Sequence, residues 1–130
     1  MAIQLQPATI EQADEISDLD CAVFPEEGIG PSTVRQELTV GNGIVAVEDE
    51  TIVGFALVRP GTLTDLTRFG VRESHRRRGI AKMLLEAVLK ANPGRVMLLV
   101  RKNNQPAIEL YRKAGFTVVG MKESSWLMIK

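Results

Sequence analysis

Cysteine, histidine, tryptophan and tyrosine each occur once in this chain of 130 residues. The lone thiol, Cys21, allows no disulfide within the chain. One cysteine and one histidine cannot fill the four positions of a structural zinc site, so no metal is expected. Aromatic residues make up only 5%, which leaves little for stacking on nucleic-acid bases. No apolar run approaches the roughly 18 residues of a membrane span. The start, Met1-Ala2-Ile3-Gln4-Leu5, lacks the basic and apolar stretches of a signal peptide. Repeats, low-complexity segments and linkers are missing too. These absences predict a cytoplasmic chain with one domain over residues 1–130 and with neither nucleic acid nor membrane among its partners.

What is present is an ordinary globular composition, 45% hydrophobic and 25% charged. The formal net charge is zero, but it hides a split. Residues 1–65 carry twelve acids against two bases, Arg35 and Arg59, for a charge of −10. Residues 66–130 carry four acids against fourteen bases, for +10. Such asymmetry suits two ligands of opposite sign, and it suits equally two halves that mix in the fold.

Hydrophobic periodicity divides the chain into short elements. Ile3 and Leu5 start a strand that Pro7 ends. Thr9 caps a helix reaching about Phe24, with Ile16, Leu19 and Val23 on one stripe. A loop over residues 25–31 precedes a short helix opened by Ser32 and stopped near Gly41. Residues 44–47 and 51–58 form a hairpin turning at Asp49-Glu50, and residues 64–71 form a third strand. Ile80, Met83, Leu84, Ala87, Val88 and Ala91 then fall at helical spacing until Asn92-Pro93-Gly94. Val96-Met97-Leu98-Leu99-Val100 reads as a strand buried on both faces. A helix with Ala107, Leu110, Tyr111 and Ala114 on one face closes at Gly115. Residues 116–121 and 126–129 complete a last hairpin, in which Trp126 is either core or part of an edge that pairs across a dimer. The sequence fits a monomer or a homodimer. The order β-α-α-β-β-β-α-β-α-β-β defines an α+β fold: a mixed, mostly antiparallel sheet with helices on both faces.

The chemically informative stretch is Arg72-Glu73-Ser74-His75-Arg76-Arg77-Arg78-Gly79-Ile80-Ala81-Lys82. Basic residues cluster where a strand hands over to a helix, whose first N–H groups lack intrahelical partners. Those donors and the helix dipole make an anion site. Gly79 removes the Cβ that would hold a bulky anion off the backbone, and Ala81 keeps the next turn slim. The same cluster also reads as a solvated charge run. The phosphate loop Gly-x-x-x-x-Gly-Lys-Ser/Thr and the dinucleotide fingerprint Gly-x-Gly-x-x-Gly are both absent.

Arg76-x-x-Gly79-x-Ala81 resembles the cofactor motif Arg/Gln-x-x-Gly-x-Gly/Ala of the GNAT acetyltransferase superfamily. Val71 matches the valine of its lead-in, and Glu73 replaces the usual proline. Asn104-x-x-Ala107-x-x-Leu110-Tyr111-x-x-x-Gly115-Phe116 is similar to the family's "N-x-x-A-x-x-L-Y-x-x-x-G-F" segment. The resemblance implies acyl transfer from acetyl-CoA (coenzyme A) to a primary amine by direct attack. It places the CoA pyrophosphate on Arg76, Arg77, Arg78, Gly79, Ile80, Ala81 and Lys82. It lays the pantetheine arm along Phe69, Gly70 and Val71, gives cofactor amides to Asn104, and points the Tyr111 hydroxyl at the CoA sulfur.

The chemistry adds its own requirements. An amine acceptor with a pKa of about 10.4 must lose a proton before it attacks. Asp65, at the start of the strand before the basic loop, is the first candidate base, and it reads equally as a solvated strand-end carboxylate. Glu26 and Glu27, in the loop after the first helix, and Glu123, in the last turn, are candidates for holding the acceptor. His75 is a phosphate neighbour by position. Ribosomal-protein N-terminal acetyltransferases of this superfamily usually carry a glutamate five residues before the motif asparagine, where this chain has Leu99. That departure and the acidic first half favour a small cationic amine or a lysine side chain, offered free or on a peptide. Two other readings keep part of the pattern: a CoA-binding sensor or partner-binding protein without catalysis, and a nucleic-acid module built on Arg76–Arg78.

Overall fold

The computed structural model describes residues 2–130. Strand β1 (Gln4–Pro7) leads through a 3-10 turn (Ile10–Gln12) into α1 (Ala13–Val23), followed by α2 (Pro31–Val40). Next come β2 (Asn42–Glu48), β3 (Thr51–Arg59) and β4 (Leu63–Val71). A second 3-10 turn (Glu73–His75) precedes α3 (Ile80–Ala91), β5 (Arg95–Arg101), α4 (Gln105–Lys113), β6 (Thr117–Lys122) and β7 (Ser125–Ile129). This is the order that periodicity predicts. The β2–β3 turn uses Asp49 and Glu50 at φ of 50° and 65°, the left-handed pair that matches hairpin twist.

All seven strands form one sheet in the order β1-β2-β3-β4-β5-β7-β6. Every neighbouring pair is antiparallel except β4–β5. On one face, Ala13, Ile16 and Leu19 of α1 and Val34 of α2 pack with Val45, Phe55 and Leu57. On the other, α3 supplies Leu85 and Val88 and α4 supplies Ile108 and Tyr111, against Val58, Val96, Leu98 and Met128. Each such fully buried large side chain contributes on the order of 1.5–3 kcal/mol. Gly54 lets α3 lie close to β3: a Cβ there would stand 2.9 Å from Leu84 Cδ1.

One expectation changes, and one choice that the sequence left open is decided. Strand β5 is not buried on both faces: Val96, Leu98 and Val100 point into the core, but Leu99 is 51% exposed. The cause is the reach of α1 and α2, which pack on β2, β3 and β4 and leave that face of β5 open. Trp126 is not on an edge strand, because β7 pairs with β5 on one side and β6 on the other. The edge is β6. Trp126 is half-buried against the core, with Lys102 Nζ 4.4 Å from its ring centroid.

Candidate active site

The site begins where the parallel pair fails. Strands β4 and β5 pair only at Leu63–Arg95, Thr64–Val96 and Asp65–Met97. Beyond Asp65, β4 stays with β3 and β5 stays with β7, so a V-shaped gap opens between them. A bulge drives the parting: Leu57 faces Arg68 but Val58 faces Leu66, which leaves Thr67 as the extra residue. Arg72 N–H bonds to Val53 O at 2.7 Å, which sets the alternation along β4. Phe69 and Val71 therefore turn their backbone N–H and C=O groups away from β3 and into the gap. Val96 and Lys130 exchange backbone bonds, so Leu99 turns its groups into the gap from β5, while the Arg101 C=O accepts from Asn104 N–H at 3.0 Å.

At the open end of β4 lies the basic loop. Gly79 sits at φ +78° and caps α3 without any side-chain hydrogen bond, and Arg77 is left-handed too, at φ +66°. The first intrahelical bond is Met83 N–H to Gly79 O, so the N–H groups of Ile80, Ala81 and Lys82 are left without helix partners. Apart from the flanking chain, no described residue lies within 4 Å of a Cβ built on Gly79, so the space above these donors is open. The loop is braced from both sides. Arg76 Nε donates to Val71 O at 3.2 Å. Glu48, ending β2, takes His75 Nε2 at 2.9 Å and Arg78 at 2.8 Å. Hydrogen bonds from His75 and then Arg78 hold the Glu48 carboxyl below its usual range. His75 and Arg78 are thus engaged with a carboxylate, whereas Arg77 and Lys82 are exposed without an ion-pair partner among the described residues.

Tyr111 enters from α4. It is 5% exposed, its ring 6.0 Å from Phe69 and 5.8 Å from Phe116. Burial pushes its phenol well above the ordinary value, so it stays a neutral O–H group. Asn104 caps α4, its Oδ1 accepting from Ala107 N–H at 3.4 Å.

The other face of the gap carries acids. Asp65 is the last β4 residue paired to β5 and so stands at the apex. Burial raises its carboxyl, Arg59 opposes that, and Glu37 of α2 reinforces it. Its neighbours place Asp65 on the α1–α2 face, opposite Tyr111. Glu26 and Glu27 lie exposed in the loop between α1 and α2, and Glu27 forms an ion pair with Arg101 at the end of β5. Glu123 is exposed in the β6–β7 turn, at φ +54°.

Two functional-side features escape sequence reasoning. One is Glu48 beneath the basic loop. The other is Asp20 of α1, fully buried and held bidentately by Arg68 of β4 at 3.0 and 2.8 Å. The charge split was the available signal, since each pair joins an acid of the first half to a base of the second.

A family profile described as "Acetyltransferase (GNAT) family" matches residues 13–116. The N-alpha-acetyltransferase of Saccharolobus solfataricus is 35% identical over 137 aligned positions, covering 88% of this chain and 80% of that protein. The N-alpha-acetyltransferase RimI of Mycobacterium tuberculosis is 29% identical, covering 94% and 86%. Among solved structures, NAA60 of Arabidopsis thaliana in complex with a bisubstrate analogue aligns at a TM-score of 0.87 with 22% identity, covering 99% of this chain and 97% of that one. The PaiA N-acetyltransferase of Thermoplasma acidophilum in complex with coenzyme A aligns at 0.86 with 18% identity, covering 100% and 99%. The chain belongs to the GNAT acetyltransferase family, the family that its two motifs resemble, and is an acyl-CoA-dependent acetyltransferase.

Proposed function

We propose that this protein transfers the acetyl group of acetyl-CoA to an amine carried by a polypeptide, on a lysine side chain or a terminal residue, by direct attack inside the β4–β5 gap. The observation that carries it is the gap itself: three rungs of pairing, then two facing backbone edges, with a carboxylate on one face and a phenol on the other. The free N–H groups of Ile80, Ala81 and Lys82, with Arg77 and Lys82 beside them, fit a pyrophosphate. The edge at Phe69 and Val71, which no strand pairs, fits the amides of a pantetheine arm, as a strand would add to an exposed sheet edge. Relatives named for acetylation of α-amines support a polypeptide acceptor, as does one named a peptidyl-lysine N-acetyltransferase, 38% identical over 55% of this chain. The exposed Leu99 side chain beside the gap suits a peptide better than a free polyamine.

Each step has a residue. The acceptor enters on the α1–α2 face, where Asp65 takes its proton directly or through a water. A raised carboxyl is the stronger base, which suits this task. The amine nitrogen attacks the thioester carbon, and the Phe69 N–H, aimed into the gap, is the donor available to the developing oxyanion. The C–S bond then breaks on the α4 face, where the Tyr111 hydroxyl donates a hydrogen bond to the departing sulfur, and the nitrogen's second proton passes to water or to the thiolate. Full proton transfer from this phenol to a thiolate of pKa about 8.5 runs uphill, so its role is that of a neutral donor.

The test is thermal unfolding with and without acetyl-CoA, with Arg76→Ala/Gly79→Trp as control, followed by thiol release with amines. A ligand at a hundred times its Kd stabilises the fold by about 2.7 kcal/mol. The expected result is an upward shift that the control loses, and turnover with lysine-bearing or free-N-terminus peptides above that with polyamines or amino-sugars. No shift at millimolar acetyl-CoA overturns the donor assignment. Turnover only with small amines overturns the acceptor assignment.

A further inference from the structure

The loop between α1 and α2, residues 24–30, crosses the mouth of the gap and is fastened to both of its arms. On the β4 side, Arg68 makes every contact that matters. Its guanidinium holds both oxygens of buried Asp20, donates from Nη2 to Glu27 O at 3.1 Å, and lies 4.9 Å from the Phe24 ring centroid. Asp20 passes the restraint on, since its Oδ2 also accepts from Ile29 N–H at 2.8 Å. Ser17 Oγ donates to Ile29 O at 2.7 Å. On the β5 side the fastening is the Glu27–Arg101 pair, whose side chains are 40% and 46% exposed.

The two fastenings differ in kind. An exposed ion pair contributes little and is screened by salt. A buried carboxylate that loses its only cation costs far more, because its charge is then left uncompensated. Arg68 therefore sets the loop, and Arg101 only steadies its far side. Arg68 is also the residue before Phe69, whose backbone faces the gap. One residue thus ties the acceptor-side wall to the strand edge where the thioester would lie.

We propose that Arg68 is a positioning residue for the acceptor amine: by clamping Asp20, Phe24 and Glu27 it fixes the 24–30 loop at a set distance from the reacting edge of β4. The proposal rests on the assignment of that loop to the acceptor side. A lysine cannot replace it, because an ammonium is a point charge and cannot grip a carboxylate with two parallel bonds while reaching a third acceptor.

Three variants test it. Arg68→Lys keeps the charge. Arg68→Met/Asp20→Asn removes both charges and leaves no buried ion unpaired, so the fold is kept. Arg101→Gln removes the exposed pair. Two readouts are taken: amide hydrogen exchange by segment, and steady-state acetylation of a peptide with a free N-terminus and one lysine. The clamp predicts at least tenfold faster exchange over residues 24–30 in the double variant, with the exchange of β4 and α3 unchanged. It predicts a tenfold or greater rise in peptide KM with acetyl-CoA KM unchanged, an intermediate rise for Arg68→Lys, and less than a threefold rise for Arg101→Gln. Unchanged exchange in the loop, or faster exchange spread evenly over the sheet, overturns the clamp. A loosened loop with unchanged peptide KM overturns the positioning role. If the native protein acetylates no peptide, the acceptor assignment fails and the positioning role with it, while the exchange data still decide whether Arg68 holds the loop.

Discussion

Removing one oxygen atom separates the structural role of Tyr111 from its chemical one. Tyr111→Phe keeps the ring between Phe69 and Phe116, at centroid distances of 6.0 and 5.8 Å, and deletes only the hydroxyl. No hydrogen bond joins that hydroxyl to another protein group among the described residues, and burial already raises the phenol. The substitution therefore breaks nothing in the folded state, and the unfolding temperature should stay the same or rise slightly. In the transition state the hydroxyl would face a sulfur gaining negative charge. A hydrogen bond to a charged group is worth about 1.5–3 kcal/mol. At 1.36 kcal/mol per decade, the loss in kcat is roughly 10- to 150-fold.

The assay is release of CoA thiol at saturating acetyl-CoA and amine, followed by melting of the same protein through Trp126 fluorescence. The KM for acetyl-CoA should stay within about twofold, because the lost interaction forms only as the C–S bond lengthens. A kcat within twofold of the native value refutes the role of the hydroxyl. A large fall in kcat that comes with a fall in unfolding temperature refutes the separation of packing from chemistry.

Asp65→Asn should lower kcat/KM at least about 100-fold, the low end for loss of a general base. Because the folded carboxyl is raised, its contribution to stability is largest below its ordinary pKa and is lost as pH rises through the folded value. The variant should therefore melt higher than the native protein near pH 7, and lack the acid limb of the rate profile measured with an amine that stays neutral. Glu48→Gln tests the opposite sign. Its carboxyl is lowered, so its stabilisation is present above the usual glutamate range and is lost as pH falls through the folded value. The gap in unfolding temperature between native and variant should be open at pH 7 and close on acidification. Gly79→Ala should cost about 1–2 kcal/mol, since φ is +78° but, apart from the flanking chain, no described residue lies within 4 Å of the new Cβ. Calorimetry checks that, and acetyl-CoA titration should show weaker binding in the same variant.

Much of this was legible in the sequence because it depends on local order. Most elements follow a periodic apolar pattern, and the two motifs fall on the turn before α3 and on α4. What was not legible depends on where elements stop covering one another. The run Val96–Val100 looks doubly buried, but how far α1 and α2 extend across the sheet is a tertiary property, and Leu99 is left open. The bulge at Thr67 that opens the gap leaves no composition signal. Arg78 sits in the basic cluster like its neighbours, and only the placement of the β2–β3 hairpin decides that Glu48 takes it. The raised carboxyl of Asp65 comes from burial in the fold and from Glu37, which α2 brings near.

The charge split, −10 against +10, can be followed to its end in the fold. The two bases of the first half are spent within it, Arg35 on Asp14 and Arg59 on Glu37. The remaining ion pairs cross between halves: Asp20 with Arg68, Glu48 with His75 and Arg78, and Glu27 with Arg101. All the crossing pairs flank the gap or the loop at its open end, and none brings together two elements far from it. The excess acid of one half thus serves to fasten the walls of the site to strands of the other. Among the charges near the site with no ion-pair partner among the described residues, Arg77 and Lys82 lie beside the uncapped N-terminus of α3, while Asp65 and Glu26 lie on the face of α1 and α2. Mixing of halves and a pair of oppositely charged ligands are therefore not alternatives. The crossing pairs brace the walls of the site, and the charges they leave beside it are Arg77 and Lys82 at the start of α3 and Asp65 and Glu26 on the α1–α2 face.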